Sequence, residues 1–245
     1  MKKDQKSIRK LSLGSMKIKN NPCMISDIIF AGYRSWAIEA YNKLKKEYSN
    51  TGIKVHLADS KKSLKQLRKQ HKNAVIALVG WSWIIHPEVV KKRYVICLHL
   101  SDLPEYAGGS PLQHQILDGL EYTKMTLFKV NQEIDEGDII YKLDLDISSG
   151  ISKIFQNLSN ASYELLKMFI VNYPNIELKK QNKINNHHRK RLKPEDSELR
   201  IEDVSNMNTK QLYDMIRCRE YPYPNVFIED EFGKILFSKV EYIKK

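Results

Sequence analysis

His99 closes an apolar run, Tyr94-Val-Ile-Cys-Leu98, and Asp135 follows 36 positions later in the turn Asp135-Glu136-Gly137-Asp138. A histidine at a strand end can donate a hydrogen bond to an oxyanion, and a carboxylate on a nearby loop can orient that imidazole and relay a proton. Taken singly, His99 also reads as a satisfied strand-end histidine and Asp135 as a turn former ahead of Gly137. Between them run Ser101-Asp102-Leu103-Pro104-Glu105-Tyr106 and Ala107-Gly108-Gly109-Ser110-Pro111. The two glycines let the backbone approach a ligand closely, and Ser110-Pro111 equally suits the N-cap and first position of a helix. Cys97, two residues before His99, offers a thiol, a weak hydrogen-bond donor.

The elements that must position these residues alternate along the chain. Ile25 to Ala31, Ile53 to Leu57, Ala74 to Val79 and Tyr94 to Leu98 read as strands. Ser35 to Tyr48 and Lys61 to His71 read as helices, and His86-Pro87-Glu88 opens a short one. Near-continuous apolar strands separated by helices indicate a buried parallel sheet, hence a doubly wound, Rossmann-like α/β core. Ligands of such sheets sit beyond the carboxyl ends of the strands, where His99 falls. Further along, a helix ends near Gly119, Thr123 to Val130 and Ile139 to Leu145 read as strands, and a long helix runs from about Ser152 to Asn172 before Pro174. Residues 181–193 are polar and basic and read as a linker or exposed loop. A helix over 208–218 and a hairpin joining Val226–Ile228 to Ile235–Tyr242 complete a small α+β subdomain at 181–245, set against a core at 24–180.

A content of 42% hydrophobic and 29% charged residues describes a soluble globular chain, and no apolar run reaches the roughly 20 residues of a membrane helix. The net charge of +12 invites a nucleic-acid reading, but residues 1–23 carry seven Lys or Arg against one Asp, half of the total. That segment is expected to be a basic extension without regular structure. No nucleic-acid partner and no membrane insertion are therefore expected, and the location is expected to be cytoplasmic. Cys23, Cys97 and Cys218 show no paired spacing, which suits a reducing compartment and provides no metal site. Lys61-Lys62, Lys91-Lys92-Arg93 and His187-His188-Arg189-Lys190-Arg191 read as solvated faces, although a phosphate-bearing ligand would favour a cationic rim. Gly32, a lone glycine after the first strand, indicates a tight strand-to-helix turn rather than a dinucleotide loop.

The joint pattern of Cys97, His99, Ser101, Leu103-Pro104, Tyr106, Gly109, Pro111 and the Asp135 loop resembles the signature of the folate-dependent formyltransferase family, with Cys97 where that family carries Asn. Trp83-Ile84-Ile85-His86-Pro87 is similar to the apolar strand end and Pro-led helix that frame the pterin in the family. Lys193-Pro194-Glu195-Asp196-Ser197, and Arg217 with Tyr221-Pro222-Tyr223-Pro224, resemble its carboxy-terminal motifs, so the likeness covers roughly residues 25 to 240. The resemblance implies a formyltransferase core that uses 10-formyltetrahydrofolate as co-substrate and no metal. It implies His99, Asp135 and Cys97 as the catalytic set, and Trp83, Ile84, Ile85, Ile134, Asp135 and Asp138 around the folate. Tyr106, Gly108, Gly109 and Ser110 would meet the acceptor.

Three readings of Cys97 stand side by side: an active enzyme that covers the lost amide by other means, a degenerate member that binds folate or nucleotide sugar with little turnover, and a thiolate with a covalent role. Family members that formylate methionyl-tRNA add a barrel domain of about a hundred residues, for which this length leaves no room. The acceptor expected is therefore a nucleotide-linked amino sugar of the pseudaminic-acid or another amino-dideoxy type, made for surface glycans. The C-terminal hairpin is a candidate homodimer surface.

Overall fold

The computed structural model describes residues 25–182 and 188–243. The basic segment 1–23, with Cys23, and His187 lie outside the described residues. Six strands form one sheet in the order β2-β1-β3-β4-β5-β6. They are β1 (Asp27–Ala31), β2 (Lys54–Ala58), β3 (Val75–Val79), β4 (Val95–His99), β5 (Tyr122–Lys129) and β6 (Ile139–Asp146). The first four pair in parallel, with every residue of β3 buried, as the apolar run at 74–79 predicts.

Five helices cover this sheet: α1 (Ser35–Glu47), α2 (Lys61–Gln70), α3 (Pro87–Lys92), α4 (Pro111–Leu117) and α5 (Ile151–Asn172). In α1 the buried set Trp36, Ala37, Ala40, Tyr41 and Leu44 follows the helical period and forms one apolar stripe. It packs with α5 in one large core that takes Ile28 and Phe30 of β1, while Ile29 and Ala31 point into a second core with Leu64 of α2 and Val89 of α3. The period-2 alternation of β1 thus feeds both layers, and the doubly wound α/β class read from the sequence is present. Gly32 has no room for a side chain, since a Cβ there would lie 2.5 Å from the Val79 carbonyl oxygen.

The order changes direction at β1, with β2 on one side and β3 on the other, which opens the crevice that α/β sheets use for ligands. β5 pairs antiparallel to β4, and β6 antiparallel to β5 across the 130–138 loop. A register shift at Leu127 and Phe128 marks a bulge directly ahead of that loop.

The C-terminal part holds a 3-10 turn at Pro194–Ser197, a short α6 (Ile201–Val204), α7 (Thr209–Arg217) and the hairpin β7 (Val226–Glu229) and β8 (Lys234–Phe237). Leu199, Ile216 and Val226 form its own small core. The hairpin stops at Phe237, short of the expected Tyr242, whose ring stacks on Tyr213 instead, with centroids 5.2 Å apart. Phe232, Ile235 and Leu236 on the hairpin are exposed. No helix among the described residues is long and apolar enough to cross a membrane.

Candidate active site

His99 is the last residue of β4 and is 7% exposed. Its Nε2 lies 3.0 Å from the Tyr106 carbonyl oxygen. A carbonyl can only accept, so Nε2 carries the hydrogen in this arrangement. Nδ1 faces Asp135, 3.5 Å from Oδ2, longer than a well-formed hydrogen bond. The Asp135 carboxylate is held from behind by the Gly108 N–H, which donates to the same Oδ2 at 2.9 Å. The fold thus brings together His99, Asp135, Tyr106 and Gly108.

Local sequence explains each placement. The buried Ser101 hydroxyl donates to the Glu105 carbonyl at 2.5 Å, closing the turn beyond β4. Leu103 is fully buried with Ala107 and Phe128. Thr126 on β5 donates to the Ser101 carbonyl at 2.7 Å, and Gln115 of α4 donates to the carbonyls of Leu100 and Pro111. Asp102 is gripped by Lys124 and Lys142. Burial pushes its pKa up, but hydrogen bonds and charge from both lysines outweigh that and hold the carboxyl below the usual range. On the Asp135 loop, a Cβ at Gly137 would overlap the Lys129 carbonyl oxygen, so that position admits only glycine.

Among the described residues, three non-glycine positions adopt left-handed backbone, Tyr106 (φ 54°), Ser110 (φ 52°) and Asp135 (φ 57°), and all three belong to the loops around His99. Each stores about 1 kcal/mol, and strain of this kind concentrates at functional sites where the surroundings enforce it. Ser110 is the N-cap of α4 as expected, with Pro111 next, but its hydroxyl accepts the Leu192 N–H and leaves the helix end uncapped. The Tyr106 hydroxyl donates to Asp118 at 3.0 Å; burial, then that carboxylate, pushes its pKa up to about 12. Toward His99, Tyr106 presents its carbonyl.

Cys97 lies on the same face of β4 as His99 and packs against Leu103, Ala107 and Phe128. Burial first, and then the charge of Asp135, pushes its thiol well above the ordinary value, although part of the residue remains accessible. A neutral thiol is a poor nucleophile, and the covalent reading loses its support. Cys97→Asn is therefore expected to lower stability by about 1–3 kcal/mol, since the amide enters an apolar pocket, and to raise kcat less than tenfold. Thermal melts and steady-state rates check this. A gain near the hundredfold worth of an oxyanion donor would show instead that the thiol is a defect.

Of the residues expected around the folate, Trp83, Ile84 and Ile85 follow the carboxyl end of β3, while Ile134, Asp135 and Asp138 lie on the loop between β5 and β6. The rings of Trp81, Trp83 and Tyr33 cluster beyond the ends of β1 and β3 with centroids 4.7, 4.8 and 6.4 Å apart. Ile84 is 82% exposed and Ile134 54% exposed, an apolar edge on each side, while Ile85 is half-buried. Asp138 contributes its carbonyl to Lys129 N–H, closing the loop base. Next to Trp83 and Ile85 lies a groove of about 210 Å³ walled by Lys61, Leu64, Lys65, Arg68 and His86. It does not include His99 or Asp135. Three buried donors, Trp81 Nε1, Gln113 Nε2 and Arg217 Nη2, lack a hydrogen-bond partner among the described residues.

The described residues of the 181–193 stretch are largely exposed, as their polarity suggests, but are tied to the core. Gln181 donates to the carbonyls of Asp135 and Gly137, both at 2.8 Å, and His188 Nε2 to that of Ile134 at 2.9 Å. Arg189 N–H donates to Ala107 and its carbonyl accepts from Gly109 N–H, each at 2.8 Å. Its guanidinium pairs with Asp118 and sits over the Tyr106 ring. A Cβ at Gly108 or Gly109 would come within 2.6 Å of this strand, so the two glycines accommodate protein backbone. Residues 188–192 are a strap across the catalytic loops. Arg93, read as part of a solvated face, is half-buried and donates from its guanidinium to the carbonyls of Arg68 and His71.

The family model described as formyl transferase matches residues 34–166, more than half of the chain. The chain belongs to the formyl transferase family. It is 27% identical over 157 residues to a methionyl-tRNA formyltransferase of Nitratiruptor, covering 63% of this chain and 50% of that protein. The chain thus spans about half the length of the curated relatives it matches. A solved structure titled methionyl-tRNA formyltransferase from Clostridium thermocellum superposes with a TM-score of 0.79 at 30% identity, covering 89% of this chain and 94% of that one. A 4-N formyltransferase from Francisella tularensis shares the fold, with a TM-score of 0.69 at 18% identity, over 90% of this chain and 99% of that one. The formyl transferase match ends before the strap and the carboxy-terminal motifs.

Those motifs serve as structural ties. The Ser197 hydroxyl donates to the Pro224 carbonyl at 3.1 Å, and Arg219 donates to the Asp196 carbonyl at 3.0 Å. Arg217, fully buried, donates to Asp214 and to the carbonyls of Ile147 and Ser149, joining α7 to the entry of α5.

Proposed function

We propose that the protein transfers a formyl group from 10-formyltetrahydrofolate to the amine of a nucleotide-linked amino sugar. The observation that carries this reading is the His99–Asp135 pair at the carboxyl end of β4, closed by the Tyr106 carbonyl, in a chain of the formyl transferase family. The neutral amine attacks the formyl carbon, and the carbonyl oxygen becomes an oxyanion. His99 N–H, now donated to the Tyr106 carbonyl, turns to the oxyanion, which accepts more strongly because it is charged. Asp135 holds the imidazole and takes up the amine proton. Collapse breaks the bond from the formyl carbon to the folate nitrogen, which receives the proton from Asp135, so that tetrahydrofolate and a formamide leave and the carboxylate is restored.

The crevice supports the donor side of this reading. Trp83, Ile85 and the exposed Ile84 and Ile134 offer apolar faces for a flat ring, and Trp81 offers an unpaired donor. The basic groove alongside suits the carboxylates at the glutamate end of a folate. On the acceptor side, the exposed Lys190 and Arg191 of the strap stand beside Gly108 to Ser110, where a phosphate-bearing acceptor would lie.

A second reading, methionyl-tRNA as acceptor, is favoured by the names of the curated relatives and by the 94% coverage of the Clostridium chain. Both are tested at once by incubating the protein with 10-formyltetrahydrofolate and either nucleotide amino sugars or methionyl-tRNA, and weighing the products. A formylated sugar supports the first reading, and formyl-methionyl-tRNA alone replaces it with the second. Tight binding of tetrahydrofolate without product would favour a degenerate member that binds without turnover.

A further inference from the structure

Asp27, His56 and His71 meet near the amino end of the sheet, away from the His99 end of β4. Asp27 opens β1, His56 sits in β2 opposite Ile29, and His71 caps the end of α2. His56 Nε2 lies 2.8 Å and His71 Nδ1 3.2 Å from one and the same oxygen, Asp27 Oδ1. The three side chains are each 21–27% exposed, and the three ligand atoms fall within 4.8 Å of one another. The two imidazole rings face each other with centroids 3.8 Å apart.

We propose that Asp27, His56 and His71 form a binding site for a divalent transition metal of the zinc type, independent of the formyl-transfer site. Zinc binds imidazole nitrogen and carboxylate oxygen at about 2.0–2.1 Å, so the ligand atoms of a tetrahedral ion stand roughly 3.3 Å apart. The separations of 2.8 and 3.2 Å already approach that spacing, and the exposed side leaves a fourth position for water. Two features position the ligands. The Ser26 hydroxyl donates to Asp27 Oδ2 at 2.9 Å, which fixes the carboxylate with Oδ1 turned to the histidines. Arg93 grips the Arg68 and His71 carbonyls at 2.7 and 2.8 Å and anchors the backbone from which His71 projects. Mixed imidazole and carboxylate ligands favour zinc-like ions over magnesium or calcium. An ion there would join β1, β2 and the end of α2, elements linked in the free protein by the shared carboxylate oxygen.

The test is calorimetric titration of the untagged full chain with Zn2+, with Co2+ as a spectroscopic probe. The expected result is one ion per chain, a tetrahedral visible spectrum with Co2+, and a rise in Tm with Zn2+. Asp27→Asn and His71→Asn are each expected to weaken Zn2+ binding at least about 100-fold, and Ser26→Ala about tenfold. Circular dichroism establishes that each variant is folded; His71→Asn, partly exposed at a helix end, stands as the test if Asp27→Asn is not. The Asp27→Asn, His71→Asn double variant keeps the other histidines and all three cysteines and measures adventitious binding. Binding by the wild-type chain no tighter than by that double variant, or unchanged by His71→Asn, would overturn the proposal and leave the cluster a hydrogen-bonded clip.

Discussion

His99→Ala should lower kcat for formyl transfer by about three orders of magnitude and change the KM for folate less than about threefold. The side chain touches the reacting oxygen in the proposed mechanism but not the crevice that would hold the ring, so the loss belongs to the transition state. Asp135→Asn should cost less, about a hundredfold. Its amide oxygen can still accept the Gly108 N–H, so the loop keeps its shape while the charge opposite Nδ1 disappears. The ordering of the two variants is the diagnostic. Steady-state kinetics on folded protein read it directly, and equal losses, or a loss confined to KM, would remove His99 from the chemistry.

The second large effect is on stability. Arg217→Met should destabilise the chain by about 3–5 kcal/mol, a fall in Tm of roughly 6–20 °C for a protein of this size. The guanidinium is fully buried, with Nε 2.6 Å from Asp214 Oδ1 and Nη1 2.7 Å from each of the Ile147 and Ser149 carbonyls. Its removal strips two buried carbonyls of their donor and leaves Asp214 with Lys210 as the remaining partner of its ion pairs. Arg217→Lys should recover part of the loss, because the charge remains while the fork that spans both carbonyls does not. Thermal melts of both variants check the order, and a methionine variant as stable as the wild type would show that this tie is not needed.

His99 and Asp135 were legible in the sequence because strand ends and glycine-bearing turns leave periodic traces, and because a parallel sheet gathers its strand ends at one edge. The left-handed backbone at Tyr106, Ser110 and Asp135 was not, since no residue there is the glycine that such a conformation usually announces. The docking of the strap at 188–192, whose residues 188–191 are exposed as expected, was missed for a different reason. The strap docks largely through main-chain groups, such as Arg189 N–H on Ala107, and main-chain bonds carry no side-chain signature. The Asp27, His56 and His71 cluster was invisible because its members lie on three separate elements with no motif spacing. The antiparallel direction of β5 and β6 escaped too, since alternation of apolar residues gives a strand its faces but not its sense.

Left-handed backbone at three non-glycine positions also bears on thermal hardening of this protein. Replacing Ser110 or Tyr106 with glycine or asparagine relieves strain of about 1 kcal/mol per site, a gain that selection for heat resistance would find quickly. At Tyr106 the change loosens the backbone whose carbonyl meets His99, and at Ser110 it removes the hydroxyl that receives the strap. Robustness and turnover are therefore opposed at these positions, and a hardened variant is best sought in the helices that pack far from this loop.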